Sequence, residues 1–149
     1  MRDFFKRYIP EFVYGAVDGT VTTFAVVAAS AGAGISSSVI LILGIANLIA
    51  DGFSMGSSAY LAASAEHEES VRDSQKRSSP KIIGTVTFLA FVVVGSVPVL
   101  PYLIDVIANL KAPNAVLFYV SSALTAATFL AIGFIKGKVS KQSPWQSAG

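Results

Sequence analysis

Two stretches without a single charge constrain this chain more than any other feature. No Asp, Glu, Lys or Arg occurs from Ile82 to Ile104 or from Ala112 to Ile135. Each run is long enough to cross a hydrocarbon core about 30 Å thick at a rise of about 1.5 Å per residue. An earlier stretch, from about Glu11 to Ala65, is apolar apart from Asp18 and Asp51 and is too long for one span. The glycine and serine cluster from Gly32 to Ser38 marks a turn within it. The chain therefore reads as a single membrane domain, residues 1–149, with spans at about 8–32, 38–64, 82–104 and 113–136 and a connecting loop at about 65–81. The predicted fold class is all-α, a polytopic membrane protein of four transmembrane helices.

Composition supports this reading. Only 13% of the residues are charged, against about 25% in a soluble domain. The net charge of +2 gives no support for nucleic-acid binding. With no cysteine there is neither a disulfide nor a thiolate ligand or nucleophile. The basic residues set an orientation: Arg2, Lys6, Arg7, Arg72, Lys76, Arg77, Lys81, Lys136, Lys138 and Lys141 collect on one side, and Lys111 alone lies on the other. That asymmetry predicts both termini and the 65–81 loop on the cytoplasmic side. Asp3 and Glu11 interrupt the N-terminal segment, which does not read as a signal peptide. With no compartment signal, the plasma membrane of a prokaryote is the default location.

Smaller features fit the plan. Tyr8, Tyr14, Tyr60, Tyr102 and Tyr119 lie toward span ends, as in an aromatic belt. Pro98 and Pro101 end or kink the third span, and Pro113 can start the fourth. Gly15/Gly19, Gly52/Gly56 and Gly133/Gly137 are small-residue steps that let helices approach closely.

The chemistry is expected at the two carboxylates inside the apolar runs. A charge at mid-membrane costs about 2.5–3.5 kcal/mol on insertion scales, and such residues mark ion and proton pathways. The alternative is structural: an aspartate bonded to backbone or hydroxyls, capping a helix break at each Asp-Gly pair. Glu11, Asp18 and Thr22 share a helical face, and on the second span Asn47, Asp51, Met55 and Ser58 share another. Counting inward from the cytoplasmic ends puts Met55 at about the depth of Asp18. A mixed site of oxygen donors and one thioether favours iron(II)-like ions over magnesium and calcium. Met55 also reads as ordinary apolar filler. Glu66, Glu68, Glu69 and Asp73 form a weak cation-capturing cluster, or simply a solvated helix end, and His67 is the only histidine. Two membrane aspartates suit an intramembrane aspartyl protease in number, but Gly15-Ala16-Val17-Asp18 lacks that family's glycine immediately before the aspartate, and no enzymatic activity is expected.

The stretches EFVYGAVDGTVTTFAVVAASAGAG and ILGIANLIADGFSMGSSAYLAASAEHE resemble the paired first and second helices of the vacuolar iron transporter family. GSVPVLPYL and the fourth span are also similar, so the resemblance covers nearly the whole chain. It implies a homodimer that moves iron(II) or manganese(II) out of the cytosol by proton antiport, with the path between subunits near the first helices. Its partners would be divalent metal ions, protons and the lipid bilayer, with no resident cofactor. Asp18 matches the family's metal-path aspartate, Met55 its second-helix methionine, and Glu11 an acidic position at the cytoplasmic mouth.

There are three departures. Asn47 stands where better-known plant members carry a glutamate, so proton coupling would rest on Asp51 or Asp18. The 65–81 loop is too short for those members' cytoplasmic metal-binding domain, which leaves at most Glu66, Glu68 and Glu69 for metal capture. The family's fifth membrane helix would begin where the sequence ends in SPWQSAG. The competing expectation is a membrane scaffold or regulatory subunit that keeps the fold without transporting.

Overall fold

The computed structural model describes residues 2–69 and 79–140, with side chains from Arg7 to Glu66 and from Ser79 to Lys138. The described residues form helices joined by short turns: α1 (Arg2–Gly32), α2 (Ser37–Glu69), α3 (Pro80–Gly95), a 3₁₀ turn (Val97–Val99), α4 (Leu100–Ala108) and α5 (Asn114–Ser140). Four stretches are long and apolar enough to cross a membrane: Arg7–Gly32, Ser37–Glu66, Pro80–Ala108 and Asn114–Lys138. All four expected spans are present. Arg7, Glu66, Lys81 and Lys138 gather at one end of the bundle, called the basic end below, and the hairpin turns lie at the other.

The first turn forms as its glycines require. Ile35 N donates to the Ser30 carbonyl and Gly34 N to that of Ala31, with Gly34 at φ 70°. These are the two bonds of a helix stop with glycine in the left-handed position. Asn109 plays the same part after α4, at φ 49°, with Leu110 N donating to the Asp105 carbonyl. Asn114 joins the two turns, its Nδ2 donating to the Ile35 carbonyl at 3.0 Å.

The third span is longer than expected and broken in the middle. Pro98 and Pro101 cannot donate backbone hydrogen bonds, so the α ladder yields to one 3₁₀ turn. Ser121 Oγ on α5 donates to the Pro98 carbonyl at 2.7 Å. A hydroxyl thus satisfies a backbone group that the proline has disturbed, which is how such breaks survive in lipid.

The broken span is the spine of the bundle: α1 and α2 each pack chiefly on α3 and less on each other. Glycines make this possible. A Cβ on Gly15 would lie 2.5 Å from the Thr87 carbonyl oxygen, and one on Gly84 would lie 2.7 Å from that of Gly56. Two of the three expected small-residue steps are therefore sites of backbone contact. The third is not, since Gly133 and Gly137 face open space. Toward the turns, Val27, Ile40, Val99, Tyr102 and Leu117 form one core cluster; Ala16, Ala90 and Ile132 form a second.

Two expectations change. Tyr8 and Tyr102 are core residues, while Tyr14, Tyr60 and Tyr119 are exposed. Only the last three suit an aromatic belt, because Tyr102 falls inside the α4 packing surface. The 65–81 loop is also shorter than expected, since α2 continues to Glu69 and α3 starts at Pro80. Glu66, Glu68 and Glu69 thus stand on a helix. The side chains of His67, Glu68 and Glu69, and all of Asp73, lie outside the described residues.

Candidate functional site at the two Asp-Gly pairs

Each intramembrane aspartate is followed by a glycine, and the structure gives those glycines a purpose. A Cβ on Gly19 would lie 2.5 Å from the Phe91 carbonyl oxygen, and one on Gly52 would lie 3.3 Å from Cδ1 of the same residue. Phe91 is fully buried, wedged between α1 and α2 at this level. Asp18 and Asp51, one position earlier, sit about 100° around their helices from that contact. Both are half-buried.

The α1–α2 register follows from one polar contact. Asn47 Nδ2 donates to Thr22 Oγ1 at 3.4 Å and to Thr23 Oγ1 at 3.3 Å. With Asn47 level with Thr22, Asp51 and Asp18 are level too, each four residues nearer the basic end. Met55 then falls a further turn, about 6 Å, toward that end. This differs from the depth obtained by counting inward from the helix ends, which placed Met55 beside Asp18. The count went astray because α2 extends farther past the span than α1's apolar start suggested.

The helices run unbroken through Asp18-Gly19 and Asp51-Gly52. Neither carboxylate caps a helix break, and neither has a hydrogen bond or ion pair among the described residues. The structural alternative for these aspartates therefore finds no support. The Asp18 backbone is engaged, its carbonyl accepting from Thr22 Oγ1 at 2.9 Å. On α1, the face toward α3 carries Ala16, Gly19, Thr20 and Thr23, all buried. Tyr14 and Val21 stand on the opposite face at 64% and 48% exposure, and Asp18, four residues after Tyr14 and three before Val21, lies at the edge of that outer face.

Glu11 lies two turns closer to the basic end. Its Oε2 is buried without a hydrogen-bond partner. A buried carboxylate oxygen without a donor among the described residues is open to a cation. Glu66 is exposed near the end of α2. Among the described residues, no three His, Cys, Asp or Glu side chains come close enough to hold a metal ion. One chain thus brings Asp18, Asp51 and Asn47 to neighbouring levels but does not close a carboxylate cage.

Sequence reasoning passed over two residues that shape the site and one that fastens the far turn. Thr23 and Phe91 gave no signal because their roles exist only between helices. Asp105 is a buried carboxylate at the turn end, where its Oδ1 accepts from Ala112 N at 2.9 Å. It fastens a turn in which Lys111 also takes a left-handed conformation, φ 53°. Its nearness to Asn109, a frequent helix-stop residue, was the available clue.

The model of the VIT family matches residues 9–79 and 65–149, two segments that overlap at the α2–α3 connection. A vacuolar iron transporter of Toxoplasma gondii is 46% identical over 61 residues, covering 41% of this chain and 20% of that protein. Vacuolar iron transporter 1 of Arabidopsis thaliana is 37% identical over 75 residues, covering 50% of this chain and 30% of that protein. A vacuolar iron transporter of Plasmodium falciparum is 36% identical over 63 residues, covering 42% and 23%. The matched region thus spans less than a third of each of these relatives. No solved structure matches the chain. With the family model covering nearly all of a four-span helical bundle, the chain belongs to the vacuolar iron transporter family.

Proposed function

We propose that this protein moves divalent metal ions, iron(II) or manganese(II), across the membrane from its basic, cytosolic end in exchange for protons. The observation that carries this reading is the pair Asp18 and Asp51. They stand level in two unbroken apolar helices and lack partners among the described residues. Intramembrane carboxylates mark ion and proton pathways, and exchange between the two is what antiport requires. The names of the relatives, vacuolar iron transporters, support the choice of cargo.

The order of donors suits a path. An ion entering at the basic end meets Glu11 first, with its unsatisfied oxygen. Met55 comes next and adds a soft donor that favours iron(II) over magnesium and calcium. Asp18 and Asp51 follow at one level, and Asn47 lies one turn beyond. Both amide hydrogens of Asn47 are directed at threonines, so its carbonyl oxygen is the atom left to meet an ion. Protonation of an aspartate would release the ion.

A second copy completes the site in this reading. One chain supplies no cage of three acidic, histidine or cysteine side chains among the described residues. The outer face of α1 beside Asp18 carries Tyr14 and Val21, both exposed. Pairing two α1 faces would bring two Asp18 carboxylates to one axis and cover that apolar surface. The proposed location is the plasma membrane of a prokaryote.

The test is iron(II) uptake into inside-out vesicles. Asp18→Ala and Met55→Ala should each abolish it, and wild-type rates in both variants would overturn the site. Metal-dependent proton flux in proteoliposomes separates the transporter from a non-transporting scaffold, which would be folded and silent. The native chain has no cysteine, so V21C reports pairing directly. Disulfide-linked dimers are expected in membranes.

A further inference from the structure

We propose that the groove between α2 and α3 at the basic end is a binding site for an anionic phospholipid, with the phosphate on Lys81 and an acyl chain along Phe53 and Phe88. The cavity measures about 560 Å³ and is lined by Phe53, Gly56, Tyr60, Lys81, Thr85 and Phe88 among others, a volume in the range of small-ligand sites. Its origin is the Gly56–Gly84 crossing. The two backbones close on each other there, with Phe88 and Tyr60 packed beside them, while Phe53 and Tyr60 stand out from α2 at 69% and 40% exposure. The groove is therefore shallow, aromatic-walled and open sideways to the hydrocarbon.

Its polar end points to the ligand's charge. Lys81 is exposed at the edge of the Pro80–Ala108 span and has no ion-pair partner among the described residues. Glu66, six residues beyond Tyr60, falls about 120° around α2 from the groove. The N-terminus of α3 lies beside Lys81, with no acidic residue in its first turn and no side-chain cap from Ser79, and its dipole also favours an anion. Ser57 and Thr85 add hydroxyls along the wall. Among the described residues of its lining, one cation above an apolar groove suits an amphiphile with an anionic head. A free phosphate would gain nothing from the aromatic walls, and a zwitterionic lipid would bring its own cation to Lys81. The groove lined by Tyr8, Phe12, Leu89, Val93 and Ile135 lacks such an end, its lining holding no cation.

The site lies on the α2–α3 side, away from the two aspartates, so its test measures binding rather than transport. Purified protein in detergent is titrated with phosphatidylglycerol or phosphatidylcholine, and bound lipid is counted by native mass spectrometry. The wild type should retain phosphatidylglycerol preferentially. Lys81→Gln should weaken that retention by about fivefold, the worth of one lysine near an anionic headgroup. Thr85→Trp, which blocks the slot from its exposed side, should remove it, while Lys138→Gln at the same end should leave it intact. Melting temperatures establish that each variant is folded. Equal retention of the two lipids by the wild type, or unchanged retention in folded K81Q and T85W, overturns the proposal. So does a change of oligomeric state in T85W without a change in bound lipid, which would assign the groove to a second copy.

Discussion

Asp18 and Asp51 stand at one level of the bundle, and the glycine after each of them packs against Phe91, Gly19 on its backbone and Gly52 on its ring beside Val92. The small residue brings each helix onto α3, and the carboxylate beside it is turned about 100° away from that contact. Packing and polarity are thus set by adjacent positions, and a change at either should be separable from a change at the other.

Asp18→Asn and Asp51→Asn keep the shape of each side chain and remove its charge. Neither carboxylate has a bonded partner among the described residues, so both variants should remain folded, with melting temperatures at or above that of the parent. Metal uptake into vesicles should fall at least tenfold, a loss of about 1.4 kcal/mol or more in transition-state terms. A parallel loss of folding would show instead that the aspartates are structural.

The glycines give the converse result. Gly19→Ala places a methyl 2.5 Å from the Phe91 carbonyl oxygen and should destabilise the protein by about 1–3 kcal/mol, as overpacking does. Gly133→Ala meets nothing within 4 Å and should be neutral, or stabilising by up to about 1 kcal/mol through helix propensity. Thermal unfolding of both variants in the same detergent makes the comparison.

The contact from Asn47 to Thr23 is long, at 3.3 Å, and is expected to be modest. A double-mutant cycle of Asn47→Leu and Thr23→Val should return a coupling of about 0.6 kcal/mol, typical of polar pairs between membrane helices. A coupling near zero would show that this contact contributes nothing to holding α2 against α1.

Asp105 is predicted to matter for stability and not for transport. Asp105→Ala leaves Ala112 N without its acceptor and should cost about 1–3 kcal/mol, read as a lower melting temperature. Uptake per folded molecule should stay at the parent level, because Asp105 lies at the turn end, far along the bundle from Glu11.

Much of the fold was legible in the sequence because lipid imposes a one-dimensional rule. Charge-free runs of sufficient length must span, and the ends of those runs are marked by basic residues. Gly34 sits in the glycine and serine cluster that marked the first turn, Pro113 stands just before α5, and Pro98 announced the break in the third span. The site was half legible. Asp18 and Asp51 were identified by the cost of a charge in hydrocarbon, which depends only on position along a span. Their shared level was not, since it depends on how far α2 slides past α1.

The sequence by itself determined the four helical spans, the asymmetry of charge between the two ends and the two carboxylates that break the apolar pattern. Tertiary structure alone decided that α1 and α2 meet on α3, that Phe91 serves both Asp-Gly pairs, that Met55 lies a turn away from Asp18, and that Tyr8 and Tyr102 belong to the core. The physical reason is that hydropathy is a property of each residue against its solvent. Helix register and glycine packing are properties of pairs of surfaces, and these acquire a value only when the surfaces are brought together.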